Sequence, residues 1–206
     1  STRNAYDSVI HMPPFASKEK LDLLSITKPE MERFIHLQGW KPYRAEQILR
    51  WIYQRNVTQI NDMTDLSIHD RTHLGFIATI KRPTITTVLQ SQDGTAKFLI
   101  QLHDGATVET VLIPERDRRT VCISTQIGCS LDCRFCLTAK LGLKRNLNAG
   151  EIIGQFLSVQ DYLEKTYKTP PRLTNVVMMG MGEPLANIEP VRAAIQNMIH
   201  GRCGLG

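Results

Sequence analysis

The stretch "CISTQIGCSLDCRFC", residues 122–136, holds four of the five cysteines of this 206-residue chain. The last three, Cys129, Cys133 and Cys136, follow a C-x3-C-x2-C spacing and define what we call the cysteine loop, residues 129–136. The loop comes directly after the β-branched segment "RTVCISTQ", which predicts a strand. Because three thiolates at such short spacing can surround one soft metal centre, we predict a metal-binding loop at the end of a strand.

The chain beyond the cysteine loop alternates between helix and strand patterns. "NAGEIIGQFLSVQDYLEK" predicts an amphipathic helix with Asn148 as its N-cap, "RLTNVVMMG" predicts a buried strand, and "IEPVRAAIQNMIH" predicts a further helix. Strands that alternate with helices form a parallel sheet, and ligands of such sheets bind beyond the carboxyl ends of the strands. We therefore expect the cysteine loop at the functional end of the sheet, and the second strand to have neighbours on both edges.

The chain before the cysteine loop divides into three parts. Residues 81–114 carry the strand patterns "TITTVLQ", "AKFLIQL" and "TVETVLIP", separated by the turn signals "QDG" and "HDG", and this order predicts β-hairpins. Residues 27–80 predict a helical accessory domain, with N-caps at Thr27 and Ser67. Residues 1–26 are interpreted as an arm or linker, and residues 81–206 as the hairpins followed by the strand–helix part.

Composition limits the class of protein. The net charge of +5 and the pI of about 9.0 suit a polyanionic partner, although many proteins with this charge bind none. A few clustered cysteines are typical of a metal or redox site in a reduced compartment rather than of a secreted disulfide scaffold. The longest apolar runs are only a few residues, and the first residues resemble no secretory signal, so we expect a cytoplasmic protein without a membrane partner.

Three cysteines leave two kinds of metal site to consider. Structural zinc takes four ligands, so a zinc site here would need a histidine besides the three thiolates. An ordinary four-iron cluster is held by four cysteines. Three cysteines on a four-iron cluster would leave one iron open to a substrate, which gives the spacing a chemical purpose.

Longer stretches carry a resemblance to a known family. "VETVLIPERDRRTVCISTQIGCSLDCRFCLTAKLGLKRNL" and "TNVVMMGMGEPLANI" resemble the dual-specificity RNA methyltransferases of the radical S-adenosylmethionine (SAM) superfamily, as does the helical "KPYRAEQILRWIYQR". The resemblance runs from about residue 20 to the end. It implies an α/β fold, with a small N-terminal helical domain and β-hairpins before the first part of a radical SAM partial (β/α) barrel.

The same resemblance implies a function. The family methylates C2 of adenine in 23S rRNA and tRNA through a methyl-cysteine intermediate, and the resemblance implies a monomer reduced by a donor such as flavodoxin. A C8-methylating relative, a zinc-stabilised RNA-binding module and an inactive fragment remain open as alternatives. The methyl-carrying cysteine of the family lies beyond Gly206, so we expect this chain at most to bind a cluster and part of SAM. Cys203 is interpreted as incidental.

The resemblance also assigns cofactor contacts. Cys129, Cys133 and Cys136 match the ligands of a [4Fe-4S] cluster whose fourth iron is chelated by SAM, and Phe135 matches a position near the SAM adenine. Gly182 and Glu183 of the GMGEP segment, residues 180–184, match contacts to the aminopropyl end of SAM. Taken alone, "GMGEPL" is also typical of a β-to-α turn with Pro184 at the start of the next helix.

Two residues match catalytic roles. Cys122 matches a cysteine that helps to release the methylated product through a transient disulfide, and Glu109 matches a proposed general base. From the residues alone, a buried core cysteine and a solvent-facing strand carboxylate are the alternatives.

Basic residues flank the cysteine loop and line the second helix. Phosphate contact is a natural role for such residues, and a solvated charged face is the alternative. The candidates are Arg116, Arg118, Arg119, Lys140, Lys144 and Arg145 around the loop, and Arg44, Arg50 and Arg55 on the helix.

Overall fold

The computed structural model describes residues 19–129 and 142–205. The helices in these ranges are α1 Lys28–Leu37, α2 Tyr43–Tyr53, α3 Ile68–Ile77, α4 Ala149–Thr166 and α5 Ile188–Met198, with short 3-10 turns at Ile60–Asp62 and Pro184–Asn187. The strands are β1 Leu21–Asp22, β2 Ala78–Thr79, β3 Thr84–Gln90, β4 Ala96–Gln101, β5 Thr107–Pro114, β6 Arg119–Cys122, β7 Gln126–Ile127, β8 Arg145–Asn146 and β9 Asn175–Val177.

Local capping sets where the first helices begin and end. The backbone N–H and the hydroxyl of Thr27 both donate to Oε2 of Glu30, at 2.6 and 2.8 Å, which starts α1. Gly39 follows the end of α1 with a φ of +71°, a conformation that suits glycine. The hydroxyl of Ser67 accepts a 3.0 Å hydrogen bond from the N–H of Asp70 at the start of α3. The N-caps predicted at Thr27 and Ser67 are confirmed.

The two ends of the helical accessory unit pair with each other as short strands. β1 pairs in parallel with β2, which brings residues 21–22 beside residues 78–79. Leu23 and Leu24, directly after β1, are fully buried in the core. The described end of the segment interpreted as an arm therefore contributes a strand and core side chains. The division at residues 26 and 80 stays a prediction.

The main sheet joins the hairpins to the strand–helix part. Its order is β3-β4-β5-β6-β9, antiparallel from β3 to β6 and parallel between β6 and β9, where Cys122 lies opposite Val177. Gly94 and Gly105 stand in the two hairpin turns with φ of +86° and +82°. The hairpins and the parallel pair are confirmed. Within the described residues, however, β9 lies at an edge of the sheet rather than between two neighbours.

The two faces of the sheet differ in what covers them. Phe98, Val108 and Val121 are fully buried on the face where Tyr162 of α4 packs, its ring 5.2 Å from that of Phe98. Because side chains alternate along a strand, Glu109 of β5 and Cys122 of β6 point to the opposite face. No helix of the described ranges is long and apolar enough to cross a membrane.

Candidate functional site

The site forms where the parallel strands β6 and β9 end side by side. The N–H of Gly180 donates to the carbonyl of Ile123 at 3.0 Å, and the N–H of Thr125 donates to the carbonyl of Met181 at 2.8 Å. The segment that leads to the cysteine loop and the GMGEP segment therefore run together as a continuation of the sheet. Backbone groups that pair in this way hold the two segments at a fixed spacing.

The two short strands on either side of the cysteine loop, β7 and β8, pair with each other, and we call this pair the neck of the loop. β7 before the loop pairs antiparallel with β8 after it, with Gln126 opposite Asn146. Gly128 has a φ of +76°, and a Cβ at this position would collide with the carbonyl of Gly142. Only glycine fits at residue 128, since both the backbone conformation and the space exclude a side chain.

The structure describes one of the three predicted cluster ligands. Cys129 is half-buried just beyond the neck. Cys133, Phe135 and Cys136 lie outside the described residues, as does Lys140. Among the described residues alone, no group of three metal-binding side chains is found.

The GMGEP segment lies directly against β7. Gly182 has a φ of +98°, and a Cβ there would come within 2.5 Å of Cβ and 2.7 Å of the backbone N of Gln126. The N–H of Glu183 donates to Oε1 of Gln126 at 2.9 Å. The carboxylate of Glu183 accepts the N–H of Leu185 at 2.9 Å, and Pro184 then begins a 3-10 turn. The predicted turn after Glu183 is confirmed, and the carboxylate keeps further lone pairs for a ligand.

Ser124 connects the predicted base to the GMGEP segment. Its hydroxyl donates to the backbone carbonyl of Glu109 at 2.6 Å and accepts the N–H of Met181 at 2.9 Å. The side chain of Ser124 is fully buried. One hydroxyl therefore joins β5 to the segment after β9.

The side chain of Gln155 in α4 holds the backbone of Ser124 in place through two hydrogen bonds. Its Oε1 accepts the N–H of Ser124 at 2.8 Å and its Nε2 donates to the carbonyl of Ser124 at 2.9 Å. The hydroxyl of Thr110 donates to the same Oε1 at 2.9 Å. Gln155 is fully buried, so these contacts are made away from water and are correspondingly strong.

Sequence reasoning did not single out these buried polar residues. Gln155 could have been noticed as an amide within the apolar stripe of α4. Asn187, whose Nδ2 donates at 2.8 Å to the carbonyls of both Thr125 and Leu147, carried no comparable signal. Gln126 and Ser124 had none beyond their place before the cysteine loop.

Glu109 and Cys122 occupy the open face of the sheet as diagonal neighbours. Val111 lies opposite Cys122, and Glu109 is two residues from Val111 on the same face. Such diagonal pairs across antiparallel strands lie about 7–8 Å apart. Glu109 is exposed and pairs with Lys97 at 3.3 Å, as expected of a solvent-facing strand carboxylate. Cys122 is a free, half-buried thiol, and burial raises its pKa against the smaller opposing effect of a hydrogen bond with the backbone of Met179.

Several of the predicted phosphate-binding residues have partners within the protein. Arg145 forms ion pairs of 2.8 Å with both Asp104 and Glu151, and the hydrogen bonds that its guanidinium donates to Glu151 are the main cause of its raised pKa. This arrangement favours a structural role for Arg145. Lys144 and Arg116 are exposed, so their side chains are accessible to a ligand.

On the second helix, Arg44 pairs with Asp70 at 3.1 Å. The guanidinium of Arg55 lies 4.1 Å from the ring centre of Trp51. These contacts favour a structural contribution from both arginines to the helical unit.

Comparison with known proteins finds similarity to RNA methyltransferases in both a family model and individual relatives. Residues 21–80 match the family model described as the ribosomal RNA large subunit methyltransferase N-terminal domain. The dual-specificity RNA methyltransferase RlmN of Saccharophagus degradans is 42% identical over 91% of this chain and 48% of its own length. The corresponding protein of Lawsonia intracellularis is 45% identical over 90% of this chain and 53% of its own length.

A solved structure agrees. The crystal structure of a radical SAM methyltransferase from Sphaerobacter thermophilus matches with a TM-score of 0.81 and 35% identity, over 90% of this chain and 53% of that one. The predicted α/β fold class is confirmed. The chain spans about half the length of the curated relatives it matches.

Proposed function

Because this chain is a homologue of the dual-specificity RNA methyltransferases and carries their N-terminal domain at residues 21–80, we propose that it contributes the cluster site and part of the SAM site of such an enzyme. The reaction proposed is methylation of C2 of adenine in 23S rRNA and tRNA. The observation that supports it is the joining of the segment before Cys129 to the GMGEP segment at the carboxyl ends of β6 and β9.

The donor set suits an iron–sulfur cluster. A [4Fe-4S] cluster would be held by Cys129, Cys133 and Cys136, with one iron left for SAM. The cluster and SAM together would supply one-electron chemistry. The neck formed by β7 and β8 brings together the chain on either side of the cysteine loop. Such a loop can fold around a metal centre without disturbing the sheet.

The GMGEP segment suits the aminopropyl end of SAM. The missing side chain of Gly182 permits close approach of backbone and ligand. The carboxylate of Glu183 is oriented by the N–H of Leu185, and its remaining lone pairs can accept from the ligand ammonium in a charge-assisted hydrogen bond. Phe135 would lie near the adenine of SAM, as in the family.

Glu109 and Cys122 are proposed to act on the RNA. Glu109 would take a proton from the adenine during turnover. Cys122 would then form a disulfide with the methyl-carrying cysteine. The bond from that sulfur to the methyl-derived carbon breaks, its electron pair stays with the product, and the product carbon takes up one proton while the Cys122 thiol gives one up. Their places on one face of the sheet let both residues serve the same substrate.

The partners follow from the same proposal. The net charge of +5 and the exposed side chains of Arg116 and Lys144 suit an RNA backbone. A target adenine would be extruded from its loop into the site. We propose a cytoplasmic monomer reduced by a donor such as flavodoxin.

Anaerobic iron reconstitution tests the proposal. We expect about four irons per chain, the content of a single cubane, and a change in the absorbance spectrum when SAM is added. Cys129→Ala should abolish iron binding, whereas Cys203→Ala should retain it because Cys203 lies after α5. Binding of zinc in place of iron, or of no metal, would refute the proposal.

A further inference from the structure

We propose that Gln126 is a positioning residue that sets the GMGEP segment against the neck of the cysteine loop. The inference rests on the proposed function, because it concerns how two parts of that site are held together. Gln126 belongs to β7 and is fully buried, although its side chain is a polar amide. A buried amide is stabilising only when its polar atoms have partners.

The side chain of Gln126 has one partner on each part of the site. Its Oε1 accepts the N–H of Glu183 at 2.9 Å, and its Nε2 donates to Oδ1 of Asn146 at 2.8 Å. Asn146 belongs to β8, on the far side of the cysteine loop, and Glu183 follows β9. One side chain therefore contacts both the neck and the GMGEP segment.

The orientation of this amide is fixed by chemistry. A backbone N–H can only donate, so the atom that faces Glu183 must be the oxygen of the Gln126 amide. The nitrogen is then left to face Asn146, whose side-chain oxygen accepts. A reversed amide would break the hydrogen bond with the N–H of Glu183.

The backbone adds a second constraint at the same place. The N–H of Gln126 points to the carbonyl of Met181 at 3.2 Å, and Gly182 packs against the Cβ of Gln126 with no room for a side chain. A shift of β7 would therefore move Glu183 with it. Without the amide, the N–H of Glu183 would lose its acceptor, and the backbone that carries the Glu183 carboxylate would be held less firmly against β7.

Replacement of Gln126 by methionine tests the inference, because methionine keeps the length of the side chain and removes both hydrogen bonds. Gln101→Met, at an exposed position in β4, is the matched control. Two quantities are measured after anaerobic reconstitution: iron per chain, and the SAM concentration that gives half of the spectral change. For Gln126→Met we expect unchanged iron and about a tenfold higher SAM concentration, which corresponds to about 1.4 kcal/mol.

A second pair of variants decides the matter if Gln126→Met does not fold. Asn146 is exposed, so changes there disturb the core less. Asn146→Asp keeps an acceptor for Nε2 of Gln126 and should behave as the unmodified chain. Asn146→Leu removes the acceptor. It should raise the SAM concentration that gives half of the spectral change, but by less than Gln126→Met does.

The outcomes separate the two proposals. An unchanged SAM response in Gln126→Met, or equal responses in Asn146→Asp and Asn146→Leu, would overturn the positioning role. Parallel loss of iron and SAM response in Gln126→Met would also overturn it, since Gln126 would then support the cysteine loop alone. An unmodified chain that binds neither iron nor SAM would refute the proposed function itself.

Discussion

The hydroxyl of Ser124 donates a 2.6 Å hydrogen bond to the backbone carbonyl of Glu109, a residue of the neighbouring strand that the sequence places fifteen positions earlier. The same oxygen accepts the N–H of Met181. The strand that carries the proposed base and the segment proposed to bind SAM therefore share one buried side chain. A serine is small enough to fit between them and can both donate and accept.

Ser124→Ala should lower the free energy of unfolding by about 1–3 kcal/mol, because it removes a fully buried hydroxyl and leaves the half-buried N–H of Met181 without its acceptor. Ser91→Ala, in an exposed hairpin turn, should change it by about 0.5 kcal/mol or less. Urea unfolding of the two variants measures the difference. Equal stabilities would contradict the role assigned to Ser124.

Gln155→Leu should destabilise the chain by about 2–4 kcal/mol, since both backbone groups of Ser124 lose a partner. The side chain of Gln160 on the same helix bonds to Glu164 in an exposed contact, so Gln160→Leu is the matched control. The measurement is again chemical unfolding, followed by circular dichroism. A loss in Gln155→Leu no larger than in Gln160→Leu would show that the buried amide is dispensable.

Gly182→Ala and Gly105→Ala separate backbone strain from steric collision. Both glycines have a positive φ, +98° and +82°, which costs an alanine about 1–2 kcal/mol. Only at Gly182 would the new Cβ meet other atoms, those of Gln126, and overpacking adds about 1–3 kcal/mol.

Gly182→Ala should therefore be the less stable variant by thermal unfolding, and only it should weaken the spectral response to SAM. Similar melting temperatures for the two variants would mean that the GMGEP segment moves aside at little cost.

Local signals were sufficient to predict much of the fold. The N-cap of α4 at Asn148 is confirmed: its Oδ1 accepts the N–H of Glu151 at 2.8 Å, and the N–H of Asn148 donates to Oε2 of Glu151 at 3.0 Å. The hairpin turns at Gly94 and Gly105 were equally readable. Such features depend on residues within a few positions of one another, so the sequence displays them directly.

The buried polar contacts depend on which strands become neighbours. Gln155 and Ser124 are 31 positions apart, and no local sequence pattern near either residue indicates that they form hydrogen bonds with each other. The segment "RLTNVVMMG" was predicted as one strand, but β9 covers only Asn175–Val177. The residues after it turn to bond with the chain beyond β6, as the hydrogen bond from Gly180 to Ile123 shows. That geometry is tertiary, and strand propensity does not contain it.

Cys203 should make stability fall at alkaline pH. Burial raises its pKa above the ordinary value of 9.0. Below that pH the thiol is neutral in both states; above it the unfolded chain ionises first and binds fewer protons, so the free energy of unfolding falls as pH rises. Urea midpoints between about pH 8 and about pH 10 should therefore decline less steeply in Cys203→Ala than in the unmodified chain. Identical slopes would argue against a buried, neutral thiol.

Lys144 and Arg145 are adjacent but should respond differently to neutralisation. Arg145 is held by Asp104 and Glu151, so Arg145→Gln should cost stability, about 1 kcal/mol after solvent screening, and leave RNA affinity nearly unchanged. Lys144 is exposed next to β7, where its backbone N–H donates to the carbonyl of Ile127, so Lys144→Gln should weaken binding of a short single-stranded RNA and reduce the slope of log affinity against log salt by about 1. Fluorescence anisotropy over a salt series, with unfolding curves for both variants, measures the contrast. If Arg145→Gln were the variant that lost RNA affinity, its ion pairs would have to open on binding, and the structural role assigned to it would be wrong.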